Sequence, residues 1–430
     1  MLIGGVAVVG SLATVASGCA SSANAPLGAT SLAAASVAKV PSARVAAKAV
    51  SPVATATAGG KSAAAAKTAS AAKTAAAKSS AAAKTALAAS SATSAAVTAA
   101  SPAAGNPSGN VAVPAAAKAV STAHPNHVVG NGTPGSCTSA AVVKAVAKGG
   151  IITFNCGPKH VTITMTATAK VVNTSHQIVL DGGGKVTLSG NNKTRILYMN
   201  TCDEAQIWTT HECMFQQWPQ LIVQNMTFIN GYSARQQSAS SAPYYGGGAI
   251  FDMGGQLKVV NSVFNHNGCY AYGPDLGGGA IRTYSPWRGS PVYINHDTFT
   301  NNYCSNGAAL SSLHTTFYVY NTIMTGNKAI GCCQNPAIDG TPGGGSGGAI
   351  YTDGTSYNLL IDGSVLKNNS ARAGGSAIFF AVVQSGGTLA IEHSLLDNPK
   401  SGEFQNAPGI YDVVNSVSTQ PYEVDSTVEN

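Results

Sequence analysis

The sequence predicts an all-β fold in which short parallel strands stack in successive coils. Six segments between Leu221 and Pro399 repeat one pattern, with a β-branched residue at the third position and apolar or small polar residues two positions away on either side. A period of two is that of a strand, because successive side chains point to opposite faces. The segments start 36, 35, 25, 42 and 30 residues apart, which indicates a fixed unit with insertions of variable length.

A second element, of the form Gly-Gly-Ala-Ile or a close variant, separates these segments. It starts at five positions: Gly247, Gly278, Gly307, Gly347 and Gly375. Paired glycines permit a bend with positive φ or a close approach of two backbones, and the residues that follow are typical of a short strand. We therefore expect each coil to contain a strand, an Asn-containing corner, a loop, a Gly corner and a further strand.

Strands this short, without helices between them, must pair with the equivalent strands one coil above and below, at a spacing of about 4.8 Å. Equivalent residues then form columns. One expected column is a line of stacked amides at a corner, formed by Asn267, Asn302, Asn327 and Asn369. A second, apolar column is expected beside it, formed by Phe264, Phe299, Met324, Leu366 and Leu396.

The first part of the chain has a different composition. All 17 acidic residues lie at or beyond Asp181, whereas nine of the 24 Lys and Arg residues lie within residues 1–130. Large apolar side chains are scarce there, so this part cannot form a core. We expect residues 26–130 to be a disordered, basic, low-complexity Ala/Ser/Lys-rich spacer that supplies reach or contacts anionic cell-wall polymers. Its sparse charge and lack of interleaved aromatic residues argue against nucleic acid as a partner.

Residues 1–25 have the composition of an export signal, because about eighteen apolar or small residues precede a small-residue cleavage site. Two alternatives stay open. The stretch from Ala16 to Cys19 resembles a bacterial lipobox, in which Cys19 is lipidated, whereas Ala23-Asn24-Ala25 fits ordinary cleavage. Both predict an extracellular or cell-surface protein, which contacts a membrane only through a lipid at Cys19.

The cysteine count agrees with export. Eight cysteines remain without Cys19, and an even number in an exported chain predicts disulfides. Cys269 and Cys304 each follow an aligned Phe by five residues, so they occupy equivalent positions in adjacent coils. The expected pairs are Cys269 with Cys304, Cys202 with Cys213 and Cys137 with Cys156; for Cys332 and Cys333, a vicinal bridge and links to other loops or chains both stay open.

Residues from about Cys137 to Pro399 resemble a right-handed parallel β-helix (solenoid) of the pectate-lyase-like superfamily, and the alternation of Gly-Gly-Ala-Ile with Phe-x-x-Asn is similar to the repeats of polymorphic outer membrane proteins. The resemblance implies a β-helix domain over residues 131–430 with terminal caps. The first cap would be a short amphipathic helix over the open end of the stack. Thr138 or Ser139 fits its N-cap and Gly149-Gly150 its end, and its apolar face would present Val142, Val143 and Val146.

The position after the isoleucine of each Gly-Gly-Ala-Ile element is the candidate ligand-binding row. It contains Phe251, Arg282, Ser311, Tyr351 and Phe379. If the isoleucines point into the core, alternation points this row outward, where Phe251, Arg282, Tyr351 and Phe379 would form a stacking platform for sugar rings. Alternatively, the long insertions fold over the row and bury it.

A catalytic cluster is harder to find. The Asn-Thr-Asp, Asp-Asp, His-Gly and Arg-Ile-Lys motifs that a family-28 polysaccharide hydrolase would carry do not occur. The remaining catalytic candidates are Arg282, Asp252 and His314, because Arg282 and His314 can approach each other across one coil and bending of the chain can bring Arg282 near Asp252. Asp181 precedes three glycines, which favours a turn-forming role.

These patterns predict an exported cell-surface protein that binds glycan or another surface ligand, in the manner of an adhesin. The superfamily hosts lyases, hydrolases, epimerases and adhesins, so the alternative is a polysaccharide lyase or hydrolase acting on acidic polysaccharide. No cofactor or metal site is evident, and calcium is expected only for a lyase.

Overall fold

The computed structural model describes residues 96–97, 103–207, 209–233, 246–333, 341–384 and 386–430, all within the unit Ser91–Asn430. The predicted export signal, Cys19 and residues 26–95 lie outside the described residues. The described residues form an all-β arrangement with long parallel sheets, which is compatible with a β-helix. Its helical elements are α1 (Ser139–Lys148) and the short 3₁₀ helices Ala115–Ala117, Pro134–Ser136, Glu204–Gln206, Cys213–Phe215 and Trp287–Gly289.

The strands form four sheets. The strands of each sheet are named below in an order in which each strand pairs with the next. Sheet 1 contains β2 (His127–Val129), β3 (Gly150–Phe154), β6 (Gln177–Asp181), β9 (Gln220–Gln224), β13 (Gln256–Val260), β17 (Val292–Asn295), β21 (Phe317–Tyr320), β25 (Leu359–Asp362), β29 (Leu389–Glu392) and β33 (Tyr422–Val424). Sheet 2 contains β1 (Ala96–Val97), β4 (Val161–Thr164), β7 (Val186–Ser189), β10 (Thr227–Ile229), β14 (Val263–Asn265), β18 (Thr298–Thr300), β22 (Ile323–Thr325), β26 (Val365–Lys367), β30 (Leu395–Asp397) and β34 (Thr427–Glu429).

Sheets 3 and 4 contain the remaining strands. Sheet 3 contains β11 (Tyr232–Ser233), β15 (Gly268–Cys269), β19 (Tyr303–Cys304), β23 (Lys328–Ala329) and β27 (Ser370–Ala371). Sheet 4 contains β5 (Ala169–Lys170), β8 (Leu197–Asn200), β12 (Ile250–Met253), β16 (Ile281–Tyr284), β20 (Leu310–Leu313), β24 (Ile350–Gly354), β28 (Ile378–Val382), β31 (Ile410–Val414) and β32 (Val417–Ser418). From β13 to β29 the chain visits sheets 1, 2, 3 and 4 in turn, and we call one such passage a coil.

The register confirms the predicted columns. All described strand pairs are parallel except β1 with β4 and β31 with β32. Sheet 1 stacks the β-branched third positions of the repeats: Val223, Val259, Ile294, Val319, Ile361 and Ile391. Sheet 2 stacks the apolar column: Phe228, Phe264, Phe299, Met324, Leu366 and Leu396. Both columns belong to one continuous core, so each coil buries its apolar residues against the coils beside it.

The predicted asparagine column forms a hydrogen-bonded ladder at the corner between sheets 2 and 3. From Asn302 onward, each amide oxygen accepts the backbone N–H and the side-chain N–H of the equivalent residue one coil earlier, as Asn369 does from Asn327 at 3.0 and 2.9 Å. Each amide nitrogen also donates to a backbone carbonyl, so Asn369 Nδ2 lies 2.9 Å from the oxygen of Met324. The ladder runs through Asn267, Asn302, Asn327, Asn369 and Asn398, all fully buried.

Helix α1 confirms the predicted cap. Thr138 Oγ1 accepts a hydrogen bond from the backbone N–H of Ala141 at 3.2 Å, and the helix ends at Gly149 with a φ of 72°. Val142 and Val146 are buried in the core beside the first coils. The helix thus covers apolar surface that the first coil would otherwise expose.

The cysteines lie in pairs at disulfide distance. The three expected pairs have Cα–Cα separations of 5.7 Å for Cys137 and Cys156, 4.9 Å for Cys202 and Cys213, and 4.7 Å for Cys269 and Cys304. Of the two alternatives for Cys332 and Cys333, the structure has the vicinal bridge. No free cysteine is present among the residues that the structure describes.

The predicted boundary between spacer and folded domain at residue 130 is too late. Residues 103–126, which we call the strap, run across the coils along the corner between sheets 1 and 2, and β2 then joins sheet 1. Near its beginning, Asn106 bonds to the backbone oxygens of Asn321 and Gly363 at 2.8 and 2.9 Å. Further contacts follow in descending coil order, at Asn295, Lys258, Gln224, Asp181 and Ile151.

Side-chain amides hold the strap, which explains why apolar periodicity does not reveal it. Asn321 pairs with Val111 through Oδ1 and Nδ2, at 3.1 and 3.2 Å, as a neighbouring strand would. Gln224 pairs with Val120 in the same way, at 2.9 and 3.0 Å. Small residues permit the close approach, since a Cβ on Gly105 would lie 2.4 Å from the His296 ring.

We predict that Asn369→Ala lowers the free energy of unfolding by about 3 kcal/mol, because it leaves two N–H groups of Asn327 and the carbonyl of Met324 without partners. The midpoint of urea denaturation measures the loss. The adjacent Asn368 is exposed and has a φ of 56°, so Asn368→Gly is the matched control and is expected to change little. Equal effects of the two substitutions would contradict a stabilising ladder.

We also predict that Asn321→Gly releases the strap while leaving the sheets intact. Glycine tolerates the φ of 49° at this corner, but the two bonds to Val111 are lost. Hydrogen exchange of residues 106–118 is expected to accelerate about tenfold or more, whereas exchange of the sheet strands is unchanged. Asn301→Gly, at an exposed corner with a φ of 54°, is the control; unchanged protection in Asn321→Gly would show that the strap is held by other contacts.

Candidate functional site

The predicted ligand-binding row exists as a column, but it is buried. Phe251, Arg282, Ser311, Tyr351 and Phe379 stack in register on the face of sheet 4 opposite the main core. Four of these residues are fully buried and Phe379 is 4% exposed. Of the two alternatives, the structure therefore contradicts the exposed platform, because a sugar ring has no access to these side chains.

Loops on the outside of sheet 4 cover the row. The backbone oxygen of Asp275 accepts a hydrogen bond from Arg282 Nη2 at 2.8 Å, so the segment 270–277 lies over this part of the row. Leu276 packs there with the bridged Cys269 and Cys304. At the other end, Phe404 contacts Phe379 with ring centroids 6.2 Å apart. The covering chain comes from the insertions between repeats, whose path the repeat pattern does not specify.

Arg282 is the centre of a polar cluster within this covered layer. Its Nη1 donates to Ser311 Oγ, while its Nε has no hydrogen-bond partner among the described residues. Burial lowers the pKa of the guanidinium, and the nearby Tyr351, Asp275 and Asp353 oppose that shift. Among the described residues no carboxylate lies within ion-pair distance of this guanidinium, so its buried charge is met by the hydroxyl of Ser311 and the backbone oxygen of Asp275.

Two groups of this cluster are suited to proton transfer. Tyr351 Oη donates to Asp353 Oδ2 at 3.1 Å, yet burial raises the pKa of the Asp353 carboxyl. His314 Nδ1 accepts the backbone N–H of Thr355 at 2.9 Å, which leaves the proton of a neutral ring on Nε2. Burial lowers the pKa of His314. A neutral imidazole beside a partly desolvated carboxyl can serve as an acid–base pair.

The three catalytic candidates divide between the two faces of sheet 4. Arg282 and His314 both lie near Asp353, whose charge acts on each of them. Asp252, in contrast, stacks on Thr283 and faces the core. The predicted approach of Arg282 to Asp252 is thus wrong, because alternation along a strand places neighbouring positions on opposite faces.

The outer face of sheet 1 carries an aromatic group that lies outside the candidate row. Tyr293 and Tyr318 occupy paired positions on the adjacent strands β17 and β21, with ring centroids 5.8 Å apart and ring planes inclined by 55°, and the Tyr320 ring lies 6.5 Å from that of Tyr318. Tyr293 and Tyr318 are both partly exposed. We call these three residues the tyrosine face. Alternation would have found them, since each partly exposed tyrosine stands between two inward-pointing residues in "VYI" and "FYV".

A groove continues the tyrosine face across the earlier coils. It has a volume of about 120 Å³ and is lined by Tyr293, Lys258, Ile222 and Gln220, together with Ala116 of the strap. Lys258 Nζ donates to the backbone oxygen of Lys118 at 2.8 Å, so the strap fixes this ammonium beside the groove. Burial raises the pKa of Tyr293 and that of Tyr320, the latter to about 12, so the phenols are neutral hydrogen-bonding groups.

A group of metal-capable donors lies beyond the tyrosine face, where Asp362 stacks on Tyr320 and Glu392 stacks on Asp362. With His393 they present ligand atoms within 4.8 Å of one another. His393 Nδ1 lies 2.9 Å from Asp362 Oδ1, and this hydrogen bond raises the pKa of His393. The His393 imidazole is therefore already paired with the Asp362 carboxylate by a hydrogen bond.

Among the described residues, no helix has the length and apolar character needed to cross a membrane. Comparison of the chain with protein-family models, curated proteins and solved structures finds no match.

Proposed function

We propose that the protein is a right-handed parallel β-helix that binds glycan at the cell surface through the tyrosine face. The observation that carries the proposal is the pair of partly exposed rings, Tyr293 and Tyr318, whose centroids lie 5.8 Å apart on adjacent strands with the ring planes inclined by 55°. The right hand follows from the general preference of parallel strands for right-handed crossovers. The likeness to pectate-lyase-like β-helices and to polymorphic outer membrane proteins remains one of sequence pattern and supports an adhesin-like role.

The chemistry of the tyrosine face suits a sugar. Rings offer apolar faces to the C–H groups of a pyranose, while phenol hydroxyls bond to its hydroxyl groups. The neighbouring groove adds the Gln220 and Gln256 amides and the Lys258 ammonium, which favour hydroxyl and anionic groups respectively. A polymer that follows the stack would meet equivalent positions at intervals of about 4.8 Å.

Secretion is part of the proposal. Four cysteine pairs at disulfide distance in the described residues support an oxidising compartment. A lipid on Cys19, or cleavage after Ala25, would then present the domain outside the membrane, and the basic spacer would supply reach or contact anionic cell-wall polymers.

We predict that Tyr318→Ala weakens retention of the full chain on insoluble glycans about tenfold, because one stacking surface is lost. Retention on pectin, alginate and neutral glycans, measured by co-sedimentation, identifies the class of glycan. Tyr422→Ala is the matched control, since Tyr422 is 60% exposed in the same outward row of sheet 1 but lies several coils away. Equal losses in the two variants, or no retention on any glycan, would contradict the proposal.

The cluster around Arg282 favours a second candidate function, that of a polysaccharide lyase or hydrolase. Its supporting observation is that Arg282, Asp353 and His314 lie together with opposed pKa shifts on one face of sheet 4. The loops over the row would have to admit the substrate. Calcium would be a requirement only if the reaction were a lyase reaction.

For this second candidate we predict turnover of acidic glycans, followed as new reducing ends and as ultraviolet absorbance of unsaturated uronates, with and without calcium. Asp353→Asn is expected to reduce the rate about 100-fold or more, because it removes an acid–base group. Asp362→Asn, on the outer face of sheet 1, is the control. Absence of turnover, or equal rates in the two variants, would refute the enzymatic role and leave glycan binding untouched.

A further inference from the structure

All three tryptophans of the chain stand in two loops that lead into sheet 1. Trp208 and Trp218 belong to the loop between β8 and β9, and Trp287 belongs to the loop between β16 and β17. The placement of Trp208 lies outside the described residues, whereas Trp218 and Trp287 are each partly exposed. Both loops lie at the corner where the chain passes from sheet 4 to sheet 1. We call this corner, with His176, Phe215, Trp218 and Trp287, the tryptophan corner.

The rings of this corner form a flat surface. His176 is exposed and its ring lies parallel to that of Trp218, with centroids 4.5 Å apart and planes inclined by 6°. The loops that carry Trp218 and Trp287 are two coils apart, or about 10 Å along the stack. The coil between them has Gly254 and Gly255 at this corner, and the backbone N–H of Trp287 donates to the oxygen of Gly255 at 2.9 Å. No side chain of that coil therefore projects from these two positions.

The tryptophan corner also exposes aliphatic and phenyl groups. Phe215 is 55% exposed, and Ile207 in the same loop is 52% exposed. The disulfide between Cys202 and Cys213 closes this loop, and the short helix Cys213–Phe215 contacts the helix Trp287–Gly289. None of the rings named here belongs to the main core. An exposed apolar patch that the core does not require marks a binding surface.

The groove beside the tyrosine face adjoins the tryptophan corner. Gln220 lines the groove and follows Trp218 by two residues, while Pro291 lines it and follows Trp287 by four. The strap bounds the groove at Ala116, on the side where the strands of sheet 1 end. The strands begin on the opposite side, so that side of the groove is formed by the two tryptophan loops. A ligand in the groove can thus reach the tyrosine face and the tryptophan corner together.

We propose that the tryptophan corner is a further glycan subsite, which extends the proposed binding function and rests on it. A glycan chain that lies on Tyr318 and Tyr293 would cross the groove and continue onto Trp287 and Trp218. The coils of Tyr318 and Trp218 are three apart, or about 14 Å along the stack, which is longer than one sugar ring. The ligand class is therefore an internal stretch of a polysaccharide rather than a single terminal sugar.

Ring faces, rather than charge, would hold the glycan at this corner. The Arg288 guanidinium lies 5.5 Å from the centre of the Trp287 ring, and the same corner carries the exposed carboxylate of Glu212. Because the two charges have opposite sign, they select neither an acidic nor a neutral polymer. Indole and phenyl faces pack against the C–H groups of any pyranose. The contact at the corner is accordingly expected to be insensitive to salt.

Tryptophan emission provides the test, because in the full chain it arises only from these two loops. The probes are soluble polygalacturonate, alginate and xylan, each beside its own monosaccharide, and the excitation wavelength is one that tyrosine does not absorb. The polymer that the chain binds is expected to about halve acrylamide quenching of the emission, since it covers indoles that water now reaches. Its monosaccharide is expected to leave the quenching unchanged.

Three variants locate the effect. Trp287→Ala is expected to weaken affinity for the polymer about tenfold, and Trp287→Phe, which keeps a ring, should restore most of it. Tyr272→Ala is the matched control, because Tyr272 is a 45% exposed aromatic residue in the segment over sheet 4, away from the groove. It should bind as the unaltered chain does. If Trp287→Ala does not fold, the quenching of the unaltered chain decides the question.

The possible failures are distinguishable. Binding of a polymer with unchanged quenching, or with equal affinity in Trp287→Ala and Tyr272→Ala, would overturn the subsite and leave glycan binding at the tyrosine face intact. Absence of binding to every glycan would refute the proposed function and this subsite with it. Quenching that falls as the protein is concentrated, without glycan, would overturn the subsite by assigning the corner to contact with a second copy of the chain.

Discussion

The parallel register between coils is the constraint on which the rest of this structure depends. Each residue in a strand lies about 4.8 Å from the residue at the equivalent position of the next coil. The side chain at each position must therefore pack well against the side chains at the same position in the coils on either side. Stacked rings meet this condition, as Phe264 shows by lying 5.0 and 4.7 Å from Phe228 and Phe299. Asparagine meets it too, because an amide both donates and accepts and can therefore bond to its own copy in either direction.

The same register explains which features of the fold are predictable from sequence. The column of Asn327 and the column of Phe299 are visible because successive coils repeat the same or a similar residue at these two stacked positions. The pairing of Cys269 with Cys304 follows from the same argument, since equivalent positions in adjacent coils lie within disulfide range. Helix α1 is predictable from ordinary capping and apolar spacing.

Features that do not repeat from coil to coil leave no such pattern in the sequence. The strap carries no periodic pattern, because amides such as Gln224 and Asn321 hold it through its backbone, and a backbone places little demand on side-chain identity. The burial of Tyr351 and Phe379 also has no signature in the repeats, since it depends on the path of the insertions. Alternation correctly assigns that row to the outer face, but an outer face is exposed only where no loop crosses it. The partly exposed rings of Tyr293 and Tyr318 lie on the other outer face, that of sheet 1.

The direction of the strap has a mechanical consequence. A pull on the chain ahead of Ala96 would first part the two-residue pairing of β1 with β4, and would then load the strap from the end near Gly105. The strap crosses the strands, and its contacts with Asn321, Gln224 and Asp181 lie one after another along the chain, so they would break singly rather than together. Peeling it as far as β2 would release about 70 Å of extended chain while every strand pair of the four sheets after β2 stays closed. The strap would thus act as an extensible element that absorbs load from the chain ahead of it before the stacked coils bear that load.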